Sequence, residues 1–198
     1  YHDYFCIAED LIKLTESFSK SVNLLGHSMG GKAAMVASIS RPEVFKKLVV
    51  VDISPVNYAE SEFVNYIELL QELNLNEINS RKEADTNLQK KIVDRNIRSF
   101  LLQNLYLDEN NNYNWKINLE SLKKNIENIK LFPKTQNSFK GNTLFIKGKN
   151  SNYIQEKHLP IISNFFPNYS LREIANSGHW PHTEQQDLFR KELLTFFM

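Results

Sequence analysis

The sequence predicts an α/β fold, a mostly parallel sheet with helices on both faces, interrupted by a helical insertion. Three observations predict it. Lys47 to Ile53 (Lys-Leu-Val-Val-Val-Asp-Ile) is a continuous β-branched run, the pattern of a strand buried on both faces of a parallel sheet. Strand-like and helix-like segments alternate before and after residues 58–137. Within those limits the apolar residues fall at 3-and-4 spacing, with no buried-strand pattern.

Taken in order, the first element is a helix over about residues 4–18, with Phe5, Ala8, Leu11, Ile12 and Leu14 mostly on one face. Val22-Asn23-Leu24-Leu25 is a short apolar run stopped by Gly26, and small residues follow at helical spacing (Ala33, Ala34, Ala37). That is strand, tight turn, helix. The buried strand at 47–53 ends at Ser54-Pro55, because proline cannot continue a central strand. In the insertion, Phe63, Tyr66, Ile67 and Leu70, and later Leu119, Leu122, Ile126 and Ile129, mark amphipathic helices. The Asn110-Asn111-Asn112 turn, between Leu105-Tyr106-Leu107 and Trp115-Lys116-Ile117, fits a small hairpin. Alternation resumes with a strand at 143–147, a helix at 156–165, a strand at 169–174 and a last helix at 184–197. The expected organisation is a core in two parts, residues 1–57 and 138–198, around an insertion at 58–137 that forms a lid.

Composition narrows the function classes. At 198 residues and 41% hydrophobic the chain can bury a sizeable core. A net charge of +1 argues against nucleic acid as a partner. No apolar run approaches the roughly 20 residues that a bilayer span requires. Cys6, the single cysteine, can form neither an internal disulfide nor a zinc site, and the expected location is the cytoplasm. The 23 asparagines, and a Lys excess over Arg of 18 to 6, read as an AT-rich coding sequence.

Half of the six glycines, Gly26, Gly30 and Gly31, crowd one strand-to-helix turn, Gly26-His27-Ser28-Met29-Gly30-Gly31. Gly26 and Gly30 are expected to keep side chains clear of neighbouring backbone, while Ser28 is held outward on a strained elbow. The helix that follows points free N–H groups and the positive end of its dipole at the same spot, which favours a developing oxyanion. This G-x-S-x-G between strand and helix resembles the nucleophile elbow of the α/β-hydrolase superfamily.

A serine hydroxyl needs a base. The resemblance implies a histidine late in the chain, and Asn176-Ser177-Gly178-His179-Trp180-Pro181-His182 supplies two. His179 is favoured, since Gly178 directly before it lets the loop turn the imidazole inward; His182 reads as a helix-start residue at the pocket rim. His27 reads as elbow packing, His158 as a helix surface residue, and His2 is too near the chain start to assign. The acid is displaced. Most of the superfamily carries it after the penultimate strand, where this chain has Gly148-Lys149-Asn150-Ser151-Asn152-Tyr153 and no carboxylate before Glu156. The other position the superfamily uses carries Asp52. Ser28 and Asp52 would end neighbouring parallel strands about 4.8 Å apart, so both reach one crevice. The competing reading of Asp52 is a local cap on the loop into Ser54-Pro55.

That displacement narrows the resemblance. Gly-His-Ser-Met-Gly-Gly-Lys-Ala, Val-Asp-Ile-Ser-Pro-Val, the strand and turn Leu144 to Tyr153, and Ala175 to His182 are similar to the YbfF-type esterases and their mitochondrial α/β-hydrolase-domain relatives. The resemblance implies ester or acyl thioester substrates, no metal or organic cofactor, and a triad of Ser28, His179 and Asp52. It also implies Met29 N–H as one oxyanion donor, with a second from an earlier His-Gly loop. No His-Gly motif precedes Gly26, four core strands are counted against the usual eight, and Tyr1 is not an initiating Met. The N-terminal strands of the family are therefore expected to lie outside this chain. Two other readings share these residues: a non-hydrolytic protein on the same scaffold, and a carbon–carbon bond hydrolase or cofactor-free haloperoxidase.

Overall fold

Asp3 opens the first helix. Its Oδ1 accepts the Cys6 N–H at 2.9 Å, satisfying one of the donors that a helix start leaves free. The computed structural model describes residues 3–18, 20–58 and 63–198. In chain order the elements are α1 (Tyr4–Thr15), β1 (Val22–His27), α2 (Met29–Ser40), β2 (Phe45–Val51), α3 (Phe63–Glu72), α4 (Arg81–Gln89), α5 (Arg95–Leu102), β3 (Leu105–Leu107), β4 (Tyr113–Trp115), α6 (Leu119–Lys130), β5 (Asn142–Gly148), α7 (Leu159–Phe165), β6 (Tyr169–Ile174), α8 (Pro181–Glu184) and α9 (Gln186–Phe197). They form two compact units, Tyr1–Tyr58 with Asn128–Met198, and Ala59–Glu127. The insertion read from spacing runs on to 137, whereas residues 128–137 group with the core unit. The reason is packing: Ile129 and Phe132 belong to the core's apolar cluster. His2 and residues 59–62 lie outside the described residues.

In the first unit the strands run β1-β2-β5-β6, all parallel. These are the four strands counted in the sequence. Side chains alternate between the two faces of the sheet. Leu48, Val50 and Phe145 join a cluster that includes Ala8 and Ile12 of α1, Ala33 to Ala37 of α2 and Ile162 of α7. Val49, Val51, Leu144, Ile146 and Ile174 join a second, which Phe189, Leu193, Phe196 and Phe197 of α9 cover. β2 and β5 are thus covered on both faces, as the β-branched run at 47–53 predicts. α2 is buried almost all round, which its alanine-rich sequence permits at close quarters with the sheet. Among the described residues β1 lies at the sheet edge.

The ladder continues one step past two strand ends. Ser28 N–H donates to Val51 O at 3.0 Å, and Asp52 N–H donates to Ile146 O at 2.8 Å. Both residues therefore emerge at the same carboxyl edge, in fixed register.

The second unit contains the expected hairpin. β3 and β4 pair antiparallel, Leu105 against Trp115 and Leu107 against Tyr113, with Asn111 left-handed in the turn (φ 62°). Asparagine tolerates that conformation better than most residues. Arg98 is buried there, and its guanidinium meets Asp85 at 2.7 Å and the carbonyls of Ile92 and Val93 at 2.8 Å each.

Candidate active site

Ser28 joins β1 to α2 with φ 52° and ψ −122°, a left-handed conformation that costs an L-residue on the order of 1–3 kcal/mol. A serine at a helix start ordinarily turns its hydroxyl to the helix's own N–H groups. This one makes no such cap; its Oγ lies 2.9 Å from His179 Nε2. The turn closes so tightly that a β-carbon on Gly26 would stand 2.2 Å from Gly30 O. Gly30 itself faces open space, contrary to the expectation that it clears backbone. The other crowded glycine of the turn is Gly31, whose β-carbon would meet Ile53 at 2.7 Å.

Asp52 follows β2, also left-handed (φ 51°), and is fully buried. Its Oδ2 lies 2.8 Å from His179 Nδ1 and accepts the Ser151 hydroxyl, while Oδ1 accepts Gly148 N–H at 3.1 Å. None of these partners belongs to the Ser54-Pro55 loop, so the local cap does not describe this carboxylate. Glu156, the other candidate acid, opens the short 3-10 turn before α7.

His179 lies in the loop between β6 and α8, its ring stacked on Tyr153 (centroids 4.2 Å, 29°) and tilted against His27 (4.7 Å, 44°). The left-handed residue of this loop is Asn176 (φ 54°), whereas no glycine has positive φ. Gly178 therefore does not turn the imidazole as expected. What holds the loop is Glu184: its carboxylate accepts Gly178 N–H at 2.8 Å and Trp180 N–H at 3.0 Å, one on each side of His179. His182 lies in α8 with its ring edge against His27, and its buried Nδ1 has no hydrogen-bond partner among the described residues. His158, expected on a helix surface, is only 7% exposed, with Nδ1 3.2 Å from Ser54 Oγ. The Ser54 hydroxyl and the Tyr58 hydroxyl both donate to Tyr153 O, at 2.9 and 2.7 Å, so this buried polar group fixes the residue that stacks on His179.

The proton assignment follows from the partners. A carboxylate accepts, so Nδ1 of His179 carries the hydrogen and Nε2 offers its lone pair to the Ser28 hydroxyl. That arrangement suits proton removal from Ser28. Met29 N–H belongs to the first turn of α2, where no intrahelical acceptor exists, so it is available to an anion beside Ser28. Among the described residues no group of three or more His, Cys, Asp or Glu is arranged to hold a metal ion. No helix among them is long and apolar enough to cross a membrane.

The sequence profile of the alpha/beta hydrolase fold matches residues 12–186. The chain belongs to the α/β-hydrolase family. It is 38% identical over 178 residues to a protein of Danio rerio named sn-1-specific diacylglycerol lipase ABHD11, covering 87% of this chain and 56% of that one. It thus spans little more than half of that relative's length. With esterase YbfF of Escherichia coli it shares 27% identity, over 93% of this chain and 71% of that protein. Among solved structures, a marine microorganism esterase superposes with a TM-score of 0.94 at 38% identity, covering 99% of this chain and 78% of that one.

Sequence reasoning missed three supports in this α/β hydrolase. Ser151 stands in the turn read as lacking a carboxylate, and a hydroxyl there was the available signal. Tyr153 stands in the same turn, and nothing in the local sequence marks it as the ring that stacks on His179. Glu184, five residues after His179, had no distinguishing local pattern.

Proposed function

We propose that this α/β hydrolase cleaves carboxylic esters, acyl thioesters included, through an acyl-enzyme on Ser28. One observation carries the reading: an unbroken hydrogen-bonded path from Ser28 Oγ to His179 at 2.9 Å and from His179 to Asp52 at 2.8 Å. The names of the relatives, a lipase and two esterases, support it.

His179 Nε2 takes the hydroxyl proton as Ser28 Oγ attacks the acyl carbonyl. Asp52 holds the imidazole by Nδ1–H and stabilises the imidazolium without taking its proton. Negative charge on the former carbonyl oxygen is met by Met29 N–H and the start of α2. His179 then protonates the leaving alcohol or thiol, and afterwards activates water against the ester formed on Ser28. Hydrolysis returns the acid and free Ser28. The substrate is a small-molecule ester or thioester, and the reaction uses no cofactor.

The test is p-nitrophenyl ester cleavage followed from the first turnover. An initial burst of p-nitrophenol equal to the enzyme concentration is the signature of an accumulating acyl-enzyme when deacylation is slow. Ser28→Ala is expected to lower turnover by on the order of 10⁴-fold or more. Undiminished cleavage in that variant refutes the role of Ser28.

A further inference from the structure

The main chain at His179 is held at three successive points. Glu184 takes Gly178 N–H and Trp180 N–H, and between them His179 O accepts a hydrogen bond from His27 Nε2 at 2.7 Å. A carbonyl only accepts, so His27 carries its proton on Nε2. This third bond differs in kind from the two Glu184 bonds, because His27 is the residue directly before Ser28. The base and the nucleophile are therefore connected through the His27 ring, by a path separate from the hydrogen bond between their reacting atoms.

The groups facing His27 are few. His179 contributes its ring from the loop and His182 its ring from α8, each with its centroid 4.7 Å away, and Asp52 its carboxylate from the end of β2. Burial, reinforced by the two imidazoles, pushes His27 down to about 4, against the weaker pull of its bond to His179 O and of Asp52. Burial and His179 push His182 down as well. A cation on either ring would stand beside the imidazolium that forms on His179 during ester cleavage, and like charges at that range disfavour each other.

We propose that His27 is a positioning residue: its neutral imidazole fixes the His179 main chain against Ser28 and leaves the site's one imidazolium to form on His179. This deepens the acyl-enzyme reading and rests on it for its catalytic consequence. Its hydrogen bond goes to the main-chain carbonyl of the base, not to the Nε2 and Oγ atoms that exchange the proton.

Two measurements on the full chain test it. The first is the tautomer and charge of His27, read from long-range 1H–15N spectra of protein labelled in its histidines. His27 is expected to hold its hydrogen on Nε2 and remain neutral down to about pH 5, well below the ordinary histidine range. A hydrogen on Nδ1, or titration near the ordinary 6.5, overturns the proposal. The second is the rate at which a fluorophosphonate modifies Ser28. His27→Phe keeps a ring but loses the donor, and the expected slowing is on the order of 10- to 100-fold. His27→Gln restores a side-chain N–H, and its rate is expected to return to within about threefold of the parent. A Phe variant as fast as the parent, or a Gln variant no faster than the Phe variant, overturns the proposal. If Ser28 of the parent does not react, the acyl-enzyme reading fails, and the imidazole spectra alone decide whether His27 holds His179. The same spectra decide if His27→Phe does not fold.

Discussion

Ser151 donates its hydroxyl to Asp52 Oδ2 from the turn after β5. By family resemblance that turn is the place of the acid. Here it holds a hydroxyl that serves an acid standing on the neighbouring strand end. A buried carboxylate needs its lone pairs occupied. His179, Gly148 and Ser151 supply that for Asp52, so a carboxylate at the end of β2 is satisfied there.

Asp52→Asn and Ser151→Ala are therefore expected to differ in degree. The first removes the charge opposite the imidazolium and the acceptor that sets its tautomer, and kcat is expected to fall on the order of 10³- to 10⁴-fold. The second leaves the carboxylate in place with one donor fewer, at about 1–2 kcal/mol in stability and no more than roughly tenfold in kcat. Steady-state kinetics with urea unfolding measures both. Equal losses in the two variants would mean that Asp52 supports the loop rather than His179.

The elbow glycines separate in the same way. A β-carbon on Gly26 would stand 2.2 Å from a backbone oxygen, so Gly26→Ala is expected to destabilise by about 3 kcal/mol or to prevent folding. Gly30 lies in α2 with open space around it, and Gly30→Ala is expected to be neutral or to stabilise by up to about 1 kcal/mol. Thermal unfolding of the two variants distinguishes them, and a stable Gly26→Ala protein would contradict the close approach.

Lys32, one turn beyond Ser28, is buried with its ammonium donating to Lys130 O at 2.8 Å and Leu131 O at 3.0 Å, over the Tyr58 ring at 4.8 Å. Burial pushes it from the ordinary 10.5 to about 7. Between those values the unfolded chain binds a proton that the native state does not, so native stability rises with pH across that window. The penalty is complete below about 7 and gone above 10.5. The slope is at most about 1.4 kcal/mol per pH unit. Urea unfolding at pH 7 and pH 9 is expected to show the parent gaining on Lys32→Met. A constant gap would mean that the carbonyls and the aromatic faces keep Lys32 charged.

The parts of the fold that depend on local pattern were legible in the sequence. Most of the run at 47–53 lies in β2, covered on both faces, though the strand stops at Val51, before the left-handed Asp52, rather than at Ser54-Pro55. Gly26-His27-Ser28-Met29-Gly30 becomes the strand-to-helix elbow, because periodicity and glycine placement act within a few residues. Residues whose surroundings come from distant segments were read less well. His158 reads as surface on its own helix, yet Ser54 and Tyr58, about a hundred residues earlier, bury it. Gly178 reads as the turning residue of its loop, whereas Asn176 takes the left-handed conformation and Glu184 holds the N–H groups. Ser151 and Asp52 meet only because β2 and β5 pair in parallel, a register that neither strand encodes alone.

Mass-spectrometric mapping of a fluorophosphonate adduct on the full chain tests Ser28 as the nucleophile, activated through His179 and Asp52. The expected result is one adduct, on Ser28, formed at a rate that falls sharply in His179→Ala and absent in Ser28→Ala. An adduct that persists in Ser28→Ala, or that maps to another serine, would contradict it.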